Sequence, residues 1–222
     1  MMNDEGEFVV INTECYDLAS NCYFVTDTED NAALVIDPGS PSEKLQKRID
    51  DFGAEKLQYI LLTHGHYDHI GNAAALKARY PHAVIVIGEK DAAFTHNDAL
   101  NLSLFRPNKV THFDADKTVK DGDVLAFGKD SIEVLATPGH TAGSVCYLLG
   151  GNLYTGDTIM KRTTGRTDFP TGNSRDMFDS VQRIAALEGN LHLYCGHGED
   201  SSLDFERANN IFMGNVFYDD LY

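Results

Sequence analysis

Between Thr63 and Asn72 the chain reads THGHYDHIGN, so His64, His66, Asp68 and His69 fall within six positions of a chain with nine histidines. Protonated imidazoles this close repel one another, and neutral buried ones each need a partner. A cation among them removes both difficulties, so the stretch reads as a metal site. In an extended segment alternate side chains point the same way, which lets His64 and His66 converge just past the strand that ends at Thr63. Asp68 and His69 lie further on, near the start of the next helix, and can face a second point. One ion cannot easily use all four groups at this spacing, whereas two adjacent ions can.

Three further ligand-type residues share that setting. TPGHTAG, LYTGDT and LYCGHGED place His140, Asp157 and His197 after apolar strands, with glycine beside each to let the backbone turn sharply. Strand ends are where sites gather in layered α/β architectures. His82, His96, His112 and His192 lack this context and read as ordinary polar residues. The chain has no phosphate-cradling loop, G-x-G-x-x-G, G-x-S-x-G or H-E-x-x-H motif.

The elements that must carry these residues follow from pattern. EFVVINT, NCYFVTD and AALVIDPG read as strands of a meander. SPSEKLQKRIDDFG reads as a helix with Ser40 as N-cap, Pro41 at the first helical position, Glu43 completing a capping box and Gly53 as the stop. LQYILLT is a buried strand running into the histidines. IGNAAALKARY is a helix stopped by Pro81, AVIVIG a strand, and EKDAAFTHNDALN a helix. From Asn108 strands return, punctuated by KDGD, FGKDS and LGGN. A helix over about Arg175 to Glu188, a final strand LHLYCGHG and a short helix around DFERANNIF complete the chain. The doubled order of meander, helix, strand and helix predicts an α/β sandwich of two sheets between helical layers, with residues 1–222 forming one domain.

Composition bounds the partners. Against 18 Lys and Arg stand 34 Asp and Glu, a formal charge of −16, which disfavours nucleic acid. No apolar run approaches a membrane span. The start, MMNDEGEFVV, lacks a basic segment followed by an apolar run, so a cytoplasmic protein is expected, with Cys15, Cys22, Cys146 and Cys195 as reduced thiols.

THGHYDH, with PGHT, GDT and GHG following in order, resembles the T-H-x-H-x-D-H signature and later motifs of the metallo-β-lactamase superfamily over nearly the whole chain. The resemblance implies that superfamily's αβ/βα four-layer sandwich. It implies two divalent metal ions, Zn first, with Fe or Mn as alternatives. The first would be held by His64, His66 and His140, the second by Asp68, His69 and His197, with Asp157 bridging. His69 and Asp157 make the pattern similar to that of glyoxalase II and its relatives rather than of the β-lactamases, which often use Cys in the second site. GRTDF resembles a segment of short glyoxalase II-like hydrolases and persulfide dioxygenases, in which Arg166 and Asp168 would pair and shape the wall of the site.

The activity so implied is hydrolysis of a small-molecule thioester or related ester. Water activated at the metals would attack the acyl carbonyl, and Asp68 would act as a catalytic proton acceptor. A glutathione-derived substrate is one candidate. Glyoxalase II proper adds a C-terminal helical extension that grips glutathione, whereas this chain ends on FYDDLY, so no separate glutathione-binding domain is expected. Cys195 stands where the family usually has Pro. Two alternatives remain: a persulfide dioxygenase-like oxidoreductase with one iron held by the first group and Asp157, and a metal-binding or sensor protein without turnover.

Overall fold

The computed structural model describes residues 8–15, 20–107 and 109–214. Two six-stranded sheets form its centre. The first has the order β1 (Phe8–Cys15), β2 (Ser20–Asp27), β3 (Ala32–Ile36), β4 (Leu57–Leu61), β5 (Val84–Gly88) and β6 (Lys117–Val119). It is antiparallel from β1 to β3 and parallel from β3 to β6. The second has the order β12 (Ser201–Ser202), β11 (His192–Cys195), β10 (Asn152–Gly156), β9 (Val145–Leu149), β8 (Asp130–Ala136) and β7 (Val124–Phe127). Within it only β10 and β11 run parallel.

Three apolar layers hold four structural layers together. Between the sheets, Val25, Leu34, Ile36 and Val86 meet Phe127, Val134, Tyr147 and Tyr154. Outside the first sheet, Leu45 and Ile49 of α1 (Glu43–Phe52) and Ala73 and Leu76 of α3 (Ala73–Arg79) cover Val35, Ile60 and Ile85. Outside the second, Met177, Val181 and Ile184 of α4 (Ser174–Ala185) and Leu203 of α5 (Leu203–Asn209) cover Leu135, Leu153 and Leu193. Each helix buries one stripe and each sheet both faces, which is the αβ/βα sandwich expected from the element order. Among the described residues no helix is long and apolar enough to cross a membrane.

The structure departs from the sequence expectations at four places. The cap of α1 is Ser42, not Ser40, because Ser42 Oγ lies three residues before a free helical N–H and accepts from Leu45 at 3.1 Å. Pro41 therefore precedes the helix, and Glu43 begins it instead of closing a box. The helix expected from Ile70 divides into a four-residue turn, α2 (Tyr67–Ile70), and α3, with Gly71 and Asn72 between them. EKDAAFTHNDALN forms a 3-10 stretch over Glu89–His96 instead of an α-helix. There Thr95 Oγ1 donates to the Ala92 carbonyl and Asn97 Oδ1 accepts from Ala99 and Leu100, which diverts the backbone from a regular ladder. Finally, β11 is followed by the short β12, so LHLYCGHG does not hold the last strand. The side chain of Cys15, residues 1–7 at the start and the C-terminal FYDDLY lie outside the described residues. Among the described residues, Cys146 and Cys195 are free thiols.

Ser42→Ala should lower unfolding free energy by about 1 kcal/mol, the usual worth of a hydroxyl cap. Chemical denaturation reads it, and an unchanged midpoint would return the cap to another residue.

Candidate metal centre

All seven ligand-type residues singled out from the sequence lie together at one end of the two sheets. His64 and His66 follow β4, Asp68 and His69 sit on α2, His140 lies between β8 and β9, and Asp157 and His197 follow β10 and β11. Three sets have donor atoms within 4.8 Å of one another: His64, His66 and His140; His64, His69 and Asp157; and Asp68, His69 and His197. Asp157 reaches across the sets. Its Oδ1 is 3.5 Å from His69 Nε2, and its Oδ2 is 3.4 Å from His140 Nε2 and 3.5 Å from His197 Nε2.

Partners outside the cluster aim these side chains. His140 Nδ1 donates to the Arg166 carbonyl at 2.7 Å, which leaves Nε2 as a lone pair facing the cluster. His69 Nδ1 meets Asp37 Oδ2 at 3.0 Å, again turning Nε2 inward. Thr63 Oγ1 donates to Asp37 at 2.6 Å, so at 3.2 Å it can only accept from His64 Nδ1, and His64 Nε2 points in. His66 Nδ1 faces His140 Nε2 at 2.8 Å, a contact that needs a proton or a cation between the nitrogens.

These atoms fit a metal. His64 Nε2, His66 Nε2 and Asp157 Oδ1 are buried polar atoms without a hydrogen-bond partner. Buried groups of this kind are costly unless something satisfies them. Imidazole nitrogens and carboxylates without thiolate suit zinc, iron or manganese.

Charge divides the cluster. Burial and then the neighbouring imidazoles hold His64 well below its ordinary value. Burial and then His140 lower His66 to about 3. Burial also works against charge on His69, but Asp68, Asp157 and Asp37 outweigh it and raise that residue to about 10. Burial likewise opposes the Asp68 carboxylate, and His69 and His197 overcome it and lower its pKa. At His197 burial is overcome by the hydrogen bond the imidazole donates to Asp68 and by Asp157, so its pKa rises.

Two carboxylates not singled out from the sequence complete the frame. Asp37, at a φ of 51°, accepts from Thr63 N, Thr63 Oγ1 and His69 Nδ1. Its setting, VIDPG, is another strand end beside glycine and could have revealed it. Asp91 is fully buried and accepts from Gly65 N at 2.9 Å, Thr141 Oγ1 at 2.7 Å and Gly143 N at 2.8 Å, tying the first histidine loop to the loop of His140. Nothing in EKDAAF signals that role.

Arg166 and Asp168 pair as expected, through two contacts of 2.6 Å, and the guanidinium stacks 4.1 Å from the Phe169 ring. Phe169 in turn stands 5.7 Å from His66. A Cβ at Gly165 would lie 2.8 Å from His140 Nδ1, so only glycine lets this loop close on the cluster. Residues 163–168 and Phe212 line a cavity of about 530 Å³. The four other histidines sit apart from the cluster: His96, His112 and His192 face Asp114, Asp98 and Asp200.

The chain belongs to the metallo-beta-lactamase superfamily, whose family pattern matches residues 15–197. Hydroxyacylglutathione hydrolase GloC of Haemophilus influenzae is 31% identical over 199 residues, which is 88% of this chain and 93% of that protein. The crystal structure of BLEG-1, a B3 metallo-beta-lactamase, superposes with a TM-score of 0.86 at 27% identity, covering 93% of this chain and all of that one. ETHE1 from Myxococcus xanthus superposes with a TM-score of 0.76 at 28% identity, covering 96% and 88%.

Two outcomes follow from this geometry. Asp91→Ala strands three donors, and should cost about 2 kcal/mol or more in chemical denaturation; a loss below about 0.5 kcal/mol would remove Asp91 from the frame. The second concerns acid. A depressed imidazole contributes stability that is complete above its unfolded value of 6.5 and is lost as pH falls toward its folded value of about 3. The contribution of His69 runs the other way: it is complete below 6.5 and fades only as pH rises toward about 10, so it adds little slope on the acid side. Metal-stripped protein should therefore lose about 2 kcal/mol between pH 6.5 and 5 from His66, with His64 acting in the same direction. Equal denaturation midpoints at the two pH values would contradict this.

Proposed function

We propose that the chain is a metal-dependent hydrolase of small-molecule thioesters or related esters, similar in chemistry to glyoxalase II, and that residues 1–222 form one catalytic domain. The observation that carries the reading is the set of seven buried or half-buried His and Asp side chains whose donor atoms form overlapping groups around Asp157. In this reading His64, His66 and His140 would hold one divalent ion, Asp68, His69 and His197 would hold a second, and Asp157 would serve both. Zn is the first choice, with Fe or Mn as alternatives. Bound there, the ions supply Lewis acidity and a water whose pKa falls to near 7.

The protein's own groups do the rest. Asp68, its carboxylate kept ionised by His69 and His197, would accept the proton released as water attacks an acyl carbonyl. The Arg166 carbonyl fixes the tautomer of His140. Phe94 and Phe169 flank His66, at 6.0 and 5.7 Å between ring centroids, and keep that side of the cluster apolar. The cavity beside residues 163–168 is of the size that takes a small-molecule arm. Similarity to GloC makes a glutathione thioester the first substrate to try.

The likeness to ETHE1 gives weight to the oxidoreductase alternative, in which one iron would be held by the first group and Asp157 with a persulfide as substrate. Hydrolysis of S-lactoylglutathione, oxygen uptake with glutathione persulfide and hydrolysis of nitrocefin, assayed side by side, separate the three chemistries. The thioester should turn over, chelation should abolish turnover, and His64→Ala should reduce it at least a thousandfold while lowering metal content. Full turnover in His64→Ala, or oxygen uptake without hydrolysis, would overturn the reading.

A further inference from the structure

The Asp68–His69–His197 group is assembled from two sheets. Asp68 and His69 sit on α2 beyond the first sheet, while His197 lies in the turn after β11 of the second. His197 is the most exposed of the cluster's imidazoles, with 26% of its side chain accessible, and it stands between two glycines. A turn of that composition has little stiffness of its own. Something else must hold it.

That role falls to the start of β2. The Asn21 N–H donates to the Gly196 carbonyl at 2.7 Å. The Asn21 side-chain amide donates to the carbonyls of Cys195 and Gly198, each at 2.9 Å, so its two hydrogens straddle His197. Tyr23 Oη donates to the same Cys195 carbonyl at 2.6 Å. Ser20 pairs with His197 in an isolated antiparallel bridge, and its hydroxyl donates to the Asp68 carbonyl at 2.6 Å. Ser20, Asn21 and Tyr23 are all buried. A single four-residue stretch thus grips the backbones of Asp68 and His197, which come from opposite halves. The His64–His66–His140 group is held by other partners, Asp91, Thr63 and the Arg166 carbonyl.

We infer that Ser20 and Asn21 are positioning residues for the second metal position, and that Asn21 decides whether this chain carries two ions or one. The inference rests on the two-group reading proposed above. With the Asn21 amide donors gone, the Gly198 carbonyl loses its partner and the Cys195 carbonyl keeps only Tyr23 Oη, so the turn is pinned on one side of His197 alone and the imidazole is held less firmly opposite Asp68 and His69. The first position keeps all its contacts.

Stepwise titration of the metal-stripped full chain with Co(II), followed by visible absorption and calorimetry, tests this. The wild type should take two equivalents. Asn21→Asp, which keeps the shape but loses the amide donors, and Asn21→Ala should bind the first equivalent as the wild type does and the second at least tenfold more weakly. If both variants fail to fold by circular dichroism, Ser20→Ala carries the test, with Ser20→Thr expected to restore the second equivalent. Equal weakening of both positions would mark a general structural role and overturn the inference, as would two unchanged equivalents. A wild type that takes only one equivalent would instead overturn the two-group reading, and this inference with it.

Discussion

The structure depends on one electrostatic constraint: four imidazoles and two carboxylates are almost completely buried, with a fifth imidazole half-buried beside them, and their lone pairs face one another. Left alone, such a cluster is unfavourable, since each group has given up water without gaining a full set of partners. The chain meets the constraint by fixing orientation from behind. Asp37, Thr63 and the Arg166 carbonyl accept the outward Nδ1 hydrogens, so the inward nitrogens are acceptors at the place where a cation would sit. Asp91 and Asn21 then lock the loops that carry the histidines. The two sheets supply rigid strand ends, and nearly every ligand-type residue stands within a few residues of one.

Much of the centre was legible in the sequence because its ligand-type residues obey a local rule. An apolar strand ends, glycine allows a sharp turn, and a ligand-type side chain follows. The rule is visible at Thr63, Gly139, Gly156 and Gly196 without knowledge of the fold. At Gly196 the reason is steric as well, since a Cβ there would lie 2.2 Å from Asp157 Oδ1. The layer order was legible for a similar reason: apolar periodicity records which face of an element is covered.

What was not legible depends on contacts distant in sequence. Asp91 reads as an ordinary residue of a polar segment, yet its carboxylate joins Gly65 to Gly143. Asn21 looks like the polar start of a strand, yet its partners lie more than 170 residues away. The segment holding Asp91 reads as helix by pattern, but Thr95 and Asn97 turn its backbone into a 3-10 stretch. The choice of Ser42 over Ser40 is a matter of which hydroxyl reaches a free N–H. Arg166 shows the same limit in another way: the guanidinium draws the eye in GRTDF, but the backbone carbonyl is the atom that meets His140.

The central claim is that this cluster is buried because cations belong in it. Elemental analysis of protein purified without added metal tests that most directly, paired with the unfolding midpoint before and after chelation. The account predicts close to two divalent ions per chain and a marked fall in the midpoint when they are removed. A chain that carries no metal and keeps the same midpoint with and without chelator would contradict it.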